Sequence, residues 1–509
     1  MLSKVWSAAT LGIEAVRIVI EVDARDAQQP GFAMVGLPDP AVRESYRRVR
    51  AAIVNCGLTF PFCRIIVNLS PADVRKEGSR FDLPIAIGLL HASRILRDED
   101  VAGRVFVGEL SLDGTLTPVR GTLAVSAALA HDRTVRELIV PALNANEAAT
   151  VKRLRVIGVP HLAALVGHLR GDRPIAPAVS TPNEEPAPEL ADFADVRGQG
   201  QVKRALEVAA AGGHNVMMIG PPGSGKTMLA KRLPSILPRL TEDEALVTTK
   251  IHSVAGILPA GSGLLARRPF RAPHHTISTA GMAGGGTPPR PGEVSLAHHG
   301  VLFLDELPEF RRETLEVMRQ PIEDGTVTIA RAARTVTYPA RFTLAAALNP
   351  CPCGFFNHGR RTCICSAAQI ARYLAKISGP LLDRIDLQVE VAALTTDEIT
   401  SLEPAEPSAS IRDRVEAART LQRERFRRSA IQCNAEMATY HIRRTCTLDP
   451  PSRRLLLAAI ERLGLSARAH DRIVKVARTI ADLAGREEIG SSDVAEAVQY
   501  RALDRAYFR

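Results

Sequence analysis

Gly220-Pro221-Pro222-Gly223-Ser224-Gly225-Lys226-Thr227 follows directly on the apolar run Asn215-Val216-Met217-Met218-Ile219. The spacing is GxxxxGK[ST]. The run before it reads as a buried strand, and the stretch after it as a helix. In that setting glycines let backbone N–H groups face phosphate, and the helix N-terminus favours negative charge. Lys226 is expected to reach the β- and γ-phosphates, and Thr227 to ligate Mg²⁺. Gly220 to Thr227 are therefore the expected cradle for ATP.

A second apolar strand, Val301-Leu302-Phe303-Leu304, ends in Asp305-Glu306. Four apolar residues bury the strand and deliver both carboxylates at its C-terminal tip, where open α/β sheets bind ligands. Asp305 is expected to hold Mg²⁺ and Glu306 to polarise an attacking water. A third strand, Phe342 to Leu348, ends at Asn349, either beside the γ-phosphate or as a cap of the next turn.

Composition sets the frame. A chain of 509 residues holds two to four domains of ordinary size. Hydrophobic residues make up 46% and charged residues 24%, as in a soluble globular protein. No run of 18 apolar residues signals a membrane span. Glu14 and Glu21 interrupt the apolar N-terminal stretch, so no signal peptide is read and the cytoplasm is expected. The net charge of +10 permits nucleic-acid binding. Aromatic residues are only 4%, which points to phosphate contact rather than base stacking.

Residues 1–170 mix strand-like and helix-like runs and read as an α+β domain. Residues 171–191, with five prolines, read as a linker. Strand and helix alternate over 192–394, as in a parallel α/β domain. After an irregular stretch, 411–509 reads as helical. Four of the eight cysteines, Cys351, Cys353, Cys363 and Cys365, fall in one cluster within the α/β domain. Four thiolates suit structural Zn²⁺, although the CxC spacing is tighter than the usual CxxC, and His358 is a substitute ligand. Free or redox-active thiols are the other reading. Thr326 to Thr337 alternates around a basic centre and reads as a β-hairpin with Arg331 and Arg334 near its tip. Those arginines either grip phosphate or keep a solvated sheet edge from aggregating.

The stretch Arg268-Pro269-Phe270-Arg271-Ala272-Pro273-His274-His275-Thr276, then Gly284-Gly285-Gly286, then Pro289-Arg290-Pro291-Gly292-Glu293-Val294-Ser295-Leu296-Ala297-His298, leads into the Asp305-Glu306 strand. It resembles the signature of magnesium-chelatase-like AAA+ ATPases. Nearly the whole chain resembles the bacterial ComM/YifB family. The resemblance implies an α/β AAA+ P-loop domain with a C-terminal helical lid. It also implies a homo-hexameric DNA helicase that drives branch migration of recombination intermediates in natural transformation. Single-stranded and branched DNA and recombination proteins are the implied partners. Arg384, in Leu381-Leu382-Asp383-Arg384-Ile385-Asp386, matches an arginine finger given to a neighbour's ATP, unless Asp383 and Asp386 pair with it structurally. Arg468 matches the second sensor, with Arg472 as rival. His274 and His275 read as loop residues or metal ligands.

The first 170 residues resemble the Lon-protease (S5 domain 2-like) fold. The motifs are Glu77-Gly78-Ser79-Arg80 and Gly108-Glu109-Leu110-Ser111-Leu112-Asp113-Gly114. The resemblance puts the protease serine at about Arg80 and its lysine at about Leu123, so no peptidase activity is expected. Two rival functions remain at this stage. One is a chelatase motor subunit; the basic charge and the fused Lon-like block weigh against it. The other is an ATPase that remodels a protein partner; no aromatic, hydrophobic pore loop is evident for it.

Overall fold

The computed structural model describes residues 1–181, 191–331, 334–357, 361–393, 405–429, 431–503 and 507, and the statements below concern those residues. His358, residues 182–190 of the proline-rich stretch and the side chain of Arg334 lie outside them. The chain divides into two compact units. The first is Met1–Pro186 with Glu242–Leu265 and Gly286–Arg290; the second is Ala187–Thr241 with Ala266–Gly285 and Pro291–Arg509. Two segments expected inside 192–394 thus group with the N-terminal residues.

The first unit is built on a seven-stranded sheet. Its strands are β1 (Leu2–Leu11), β2 (Glu14–Arg25), β3 (Gly31–Val35), β4 (Arg64–Ser70), β5 (Arg104–Phe106), β6 (Glu137–Pro141) and β7 (Arg155–Val159). They lie in the order β3-β4-β2-β1-β5-β6-β7. Alternation sets the register: Ile18, Ile20 and Val22 on β2 and Ile65, Val67 and Leu69 on β4 all turn inward, with Val22 opposite Val67. Its helices include α1 (Ser45–Asn55), α2 (Asp82–Ala92) and α3 (Thr122–Leu129). Every residue of α2 is buried, in keeping with a sequence that is apolar apart from Asp82 and His91. The buried Asp82 at its start is matched by the Arg48 guanidinium at 2.7 Å. Leu123, at the position matching the protease lysine, is fully buried. Arg80, at the serine position, donates to the Arg120 carbonyl at 3.1 Å, and Ser79 Oγ donates to Glu109.

The helix Glu242–Ala255 belongs to this unit. Lys250 Nζ lies 2.9 Å from Glu14, the Gly121 amide donates to the Ser253 carbonyl, and Ser253 Oγ donates to Glu147.

The second unit holds a five-stranded sheet. Its strands are β8 (Val216–Ile219), β9 (Phe270–Arg271), β10 (Val301–Leu304), β13 (Thr343–Leu348) and β14 (Leu387–Glu390); β11 (Thr326–Arg331) and β12 (Arg334–Pro339) form a separate hairpin. The sheet order is β9-β10-β13-β8-β14, all parallel. Parallel sheets bury both faces, and β8, β10 and β13 are buried at every residue. The expected strand ending at Asn349 forms as β13, starting one residue later than the sequence suggests. Around the sheet lie α4 (Gly200–Gly212), α5 (Lys226–Ile236) and the short α6 (Thr279–Ala283). The C-terminal helices are α7 (Ser408–Arg425), α8 (Pro450–Leu463), α9 (Ala467–Leu483) and α10 (Ser491–Gln499).

One apolar core joins α4 and α5, through Ala209 and Leu233, to Val415 of α7 and Ala477 of α9. A buried polar seam fastens the helices. Asp482 accepts from Arg425 at 2.5 Å, from Arg478 at 3.0 Å and from Asn434 at 2.8 Å. A buried carboxylate left without such partners would cost several kcal/mol, about 3–5 when one partner of a buried pair is removed. Among the described residues no helix is long and apolar enough to cross a membrane.

Candidate active site

Parallel strands place their C-terminal ends along one edge, and the register aligns three of them. Ile219 of β8 lies opposite Leu348 of β13, and Leu304 of β10 opposite Ala346. The next residues are Gly220, Asn349 and Asp305. Three motifs separated by up to 130 residues therefore converge at one sheet edge.

The loop Gly220–Gly225 turns between β8 and α5. Gly223 and Gly225 sit at φ +77° and +90°, a region that penalises a Cβ. Lys226 is 8% exposed. Its Nζ donates to the Gly220 carbonyl at 2.7 Å, the Pro221 carbonyl at 2.9 Å and Asn349 Oδ1 at 3.1 Å. Burial pushes the ammonium down to about 8, against the pull of Asp305 and Glu306. Thr227 Oγ1 donates to Asp305 Oδ2 at 2.5 Å. A hydroxyl and a carboxylate brought together at the foot of a phosphate loop are hard oxygen donors of the kind Mg²⁺ takes. Ser224 Oγ is buried without a hydrogen-bond partner among the described residues. An unpaired buried hydroxyl is costly, and a phosphate oxygen is a fitting acceptor for it. The residues present therefore fit both ATP and Mg²⁺.

Glu306 departs from ordinary backbone geometry at φ +52°. Few non-glycine residues adopt this region, and those that do cluster at functional sites. Its carboxylate lies 3.6 Å from His275 Nδ1. His275 stacks on His274, with ring centroids 4.1 Å apart, and meets the edge of Phe310. His274 itself bonds Thr276 Oγ1 at 2.9 Å. Among the described residues the two histidines form no cluster with other metal-ligating side chains. Sequence reasoning missed the contact with Glu306. Its only trace is the placement of His275 four residues beyond β9, the strand that pairs with β10.

The signature stretch is held by two arginines. Arg271 makes a two-pronged ion pair with Glu293, at 2.6 and 2.7 Å. Arg268 donates to the carbonyls of Pro238, His299 and Arg239.

Arg384 is not at the surface of the single chain. It is 6% exposed. Its guanidinium pairs with Glu323 and donates to the Pro380 carbonyl at 2.5 Å. Asp386 does not serve Arg384 either. It lies 3.1 Å from Arg472 and 3.4 Å from His214. Desolvation opposes ionisation of this buried carboxyl, but His214, Arg472 and Lys475 hold it well below the usual carboxylate range. Arg472 is thereby committed to Asp386. Arg468, in the first turn of α9, is exposed and in no ion pair among the described residues.

Beyond Asn349 the four cysteines come together, with ligand atoms within 4.8 Å of one another. Cys351 Sγ lies 3.3 Å from Cys353 Sγ and 3.7 Å from Cys363 Sγ, and Cys353 is 3.6 Å from Cys363. Tetrahedral Zn–S bonds of about 2.3 Å set the sulfurs about 3.8 Å apart, so the donor set fits zinc. The amides of Phe356 and Cys365 donate to Cys351 and Cys363. Gly354, at φ +84°, lies against the phosphate loop: a Cβ there would sit 2.4 Å from Pro222 Cδ.

The hairpin forms in the expected register. Ile329 lies opposite Val336 and Arg331 opposite Arg334, across a connection of two residues. Arg331 is exposed. A Cβ on Gly285 would come within 3.4 Å of its Nη2.

Comparison with known proteins covers most of the chain. The family description "Magnesium chelatase, subunit ChlI" matches residues 192–399, "Subunit ChlI of Mg-chelatase" residues 20–144, and "Magnesium chelatase, subunit ChlI C-terminal" residues 405–501. The chain is 44% identical to "Competence protein ComM" of Haemophilus influenzae over 99% of this chain and 98% of that one. It is 44% identical to "Uncharacterized protein YifB" of Escherichia coli over the same shares. Lon protease 2 of Bacillus subtilis is 32% identical over 28% of this chain and 26% of its own.

Proposed function

Because the chain belongs to the ComM/YifB family of magnesium-chelatase-like AAA+ proteins, we propose that it is a ring-forming ATPase that moves DNA. Its action is that of a hexameric helicase promoting branch migration of recombination intermediates, in keeping with the competence named for the Haemophilus relative. The observation that carries this reading is the hairpin. Arg331 and Arg334 are paired in backbone register at its tip, in the same compact unit as the ATP site. Two guanidinium groups at a strand tip suit phosphate by charge and by planar donor geometry.

In this mechanism the backbone amides of Gly220–Gly225 and Lys226 bind the phosphates. Lys226 leaves its carbonyl partners for the γ-phosphate. Thr227 and Asp305 would hold Mg²⁺, which would supply positive charge to the triphosphate. Glu306 orients the attacking water and accepts its proton; Asn349, already on Lys226, fixes the γ-phosphate side. Arg468 contacts the nucleotide within the chain. Arg384 is released from Glu323 on assembly and acts on the neighbouring subunit's ATP. Cys351, Cys353, Cys363 and Cys365 would hold a structural Zn²⁺, which would tie together the loop after Asn349.

ATP-dependent branch migration on a synthetic three-strand junction tests the reading. The wild type is expected to move the branch, and Lys226→Ala to lose that activity. The double variant Arg331→Ala, Arg334→Ala is expected to lose DNA binding and branch movement. ATP hydrolysis by a wild type that neither binds nor moves DNA would discard the proposal.

A further inference from the structure

Three arginines and a tyrosine share one stripe on the helical surface of the first unit. Arg43 closes the turn Pro40–Arg43, which runs on through Glu44, itself in helical φ/ψ, into α1. At helical spacing Arg43, Tyr46, Arg47 and Arg50 fall on one face. The opposite face, with Val42, Ser45, Val49, Ala52 and Ile53, is the buried one. Arg43, Arg47 and Arg50 are exposed and in no ion pair among the described residues.

Beside this stripe stands a row of rings. Phe32 of β3 stacks on Tyr46, with centroids 4.3 Å apart. Tyr46 meets Phe60 edge-on at 6.0 Å. The Arg50 guanidinium lies over the Phe60 ring, 5.8 Å from its centroid. Phe62 follows two residues later and is 76% exposed. Pro61 keeps Phe60 in extended backbone, so Phe62 lies within about 7 Å of it along the chain. Aromatic residues are only 4% of the chain, so composition alone does not account for such a grouping.

Two features select the partner. Guanidinium charge without a carboxylate calls for a polyanion, and the planar donor fork suits phosphate. Exposed ring faces call for other planar faces. Nucleobases on a phosphate backbone offer both, at a strength that does not depend on sequence. In a duplex the base faces already cover one another, which leaves single strands.

We propose that the first unit carries a binding surface for single-stranded DNA, on which Phe60 and Phe62 stack bases while Arg43, Arg47 and Arg50 hold the backbone. It is a second contact with DNA, additional to the hairpin, and the choice of DNA as the polyanion rests on the DNA-motor reading.

The test uses the full-length protein and a fluorescein-labelled oligodeoxythymidylate, with binding read by anisotropy over a series of salt concentrations. Phe62→Ala is expected to weaken binding about five- to a hundredfold, the range of one stacked base. Phe62→Tyr keeps a ring and is expected to bind as the wild type does. Phe62→Leu keeps apolar bulk without a π-face and is expected to bind as weakly as Phe62→Ala. Arg47→Ala with Arg50→Ala is expected to flatten the plot of log K against log salt by about 0.7 per lost phosphate contact. All these side chains are exposed or half-buried, so an unchanged melting temperature serves as the folding control. Wild-type affinity in Phe62→Leu, or an unchanged salt slope in the double arginine variant, overturns the proposal. If only Arg331→Ala with Arg334→Ala loses DNA, the surface proposal falls and the DNA-motor reading stands. If the wild type binds no DNA, both fall. If Phe62→Ala alters the ring seen by native mass spectrometry at unchanged affinity, the surface is a contact between copies of the chain, and the proposal is likewise overturned.

Discussion

Burial keeps the His298 imidazole neutral, and this gives the second unit a pH dependence of defined sign. Its Nδ1 accepts from the Arg341 amide at 3.0 Å. Burial first, then the charges of His299, Arg341 and Arg268, hold its pKa well below 6.5. Unfolded, the ring takes a proton near its ordinary value; folded, it refuses one. Stability from this group is thus complete above that value and is lost as pH falls below it, by about 1.4 kcal/mol per pH unit. The melting temperature is expected to fall between pH 7 and pH 5, and His298→Asn, which keeps an acceptor, to flatten that slope. Gly354 is the other residue with a sharp expectation. Ala at φ +84°, with its Cβ 2.4 Å from Pro222 Cδ, costs about 1–3 kcal/mol. Because Pro222 belongs to the phosphate loop, Gly354→Ala is expected to weaken ATP binding by about tenfold or more, read by titration with a fluorescent nucleotide.

Among the elements, those with a clean period were legible in the sequence. β8, β10 and β13 are short apolar runs ended by chemistry-bearing residues, and the hairpin alternates on both sides of its basic centre. β1 was not read, because its inward positions include Ser3 and Ser7, both fully buried, which break the apolar alternation. Ser3 is tolerated inside because its hydroxyl bonds His91 Nδ1 at 2.8 Å, a partner 88 residues away. The same limit hid the environment of Arg384. Nearby Asp383 and Asp386 were the visible candidates, but Glu323, on an element across the fold, is the partner. The cysteine loop makes its own prediction. Purified protein is expected to carry one zinc per chain by elemental analysis, and Cys351→Ser to lose it together with part of its thermal stability, since metal binding contributes directly to local folding. Full metal occupancy in Cys351→Ser would exclude the four-thiolate site.

For the whole molecule, the question is whether one chain completes its own active site. Arg384 is buried and paired within the single chain, while Arg468 stands exposed and Arg472 is bound to Asp386. If Arg384 serves a neighbour, Arg384→Ala is expected to lower ATPase by about three orders of magnitude. Glu306→Gln is expected to be inactive for a different reason. Mixing the two inactive proteins is expected to restore part of the activity, because Arg384 from one can serve Glu306 of the other. No recovery in mixed rings verified by native mass spectrometry would place Arg384 in a purely structural role.

The division of the chain has a consequence for what can be removed. The polypeptide passes between the two units after residues 186, 241, 265, 285 and 290. The helix Glu242–Ala255 leaves the P-loop side of the sequence to meet Glu14, Gly121 and Glu147. The N-terminal residues are therefore not a bead on a string, since two later segments of the chain group with them. A gene shortened to begin at residue 192 would still encode the whole phosphate loop, yet its product would carry that helix stripped of its lining. Such an ATPase would be intact in its motifs and unsound in its folding.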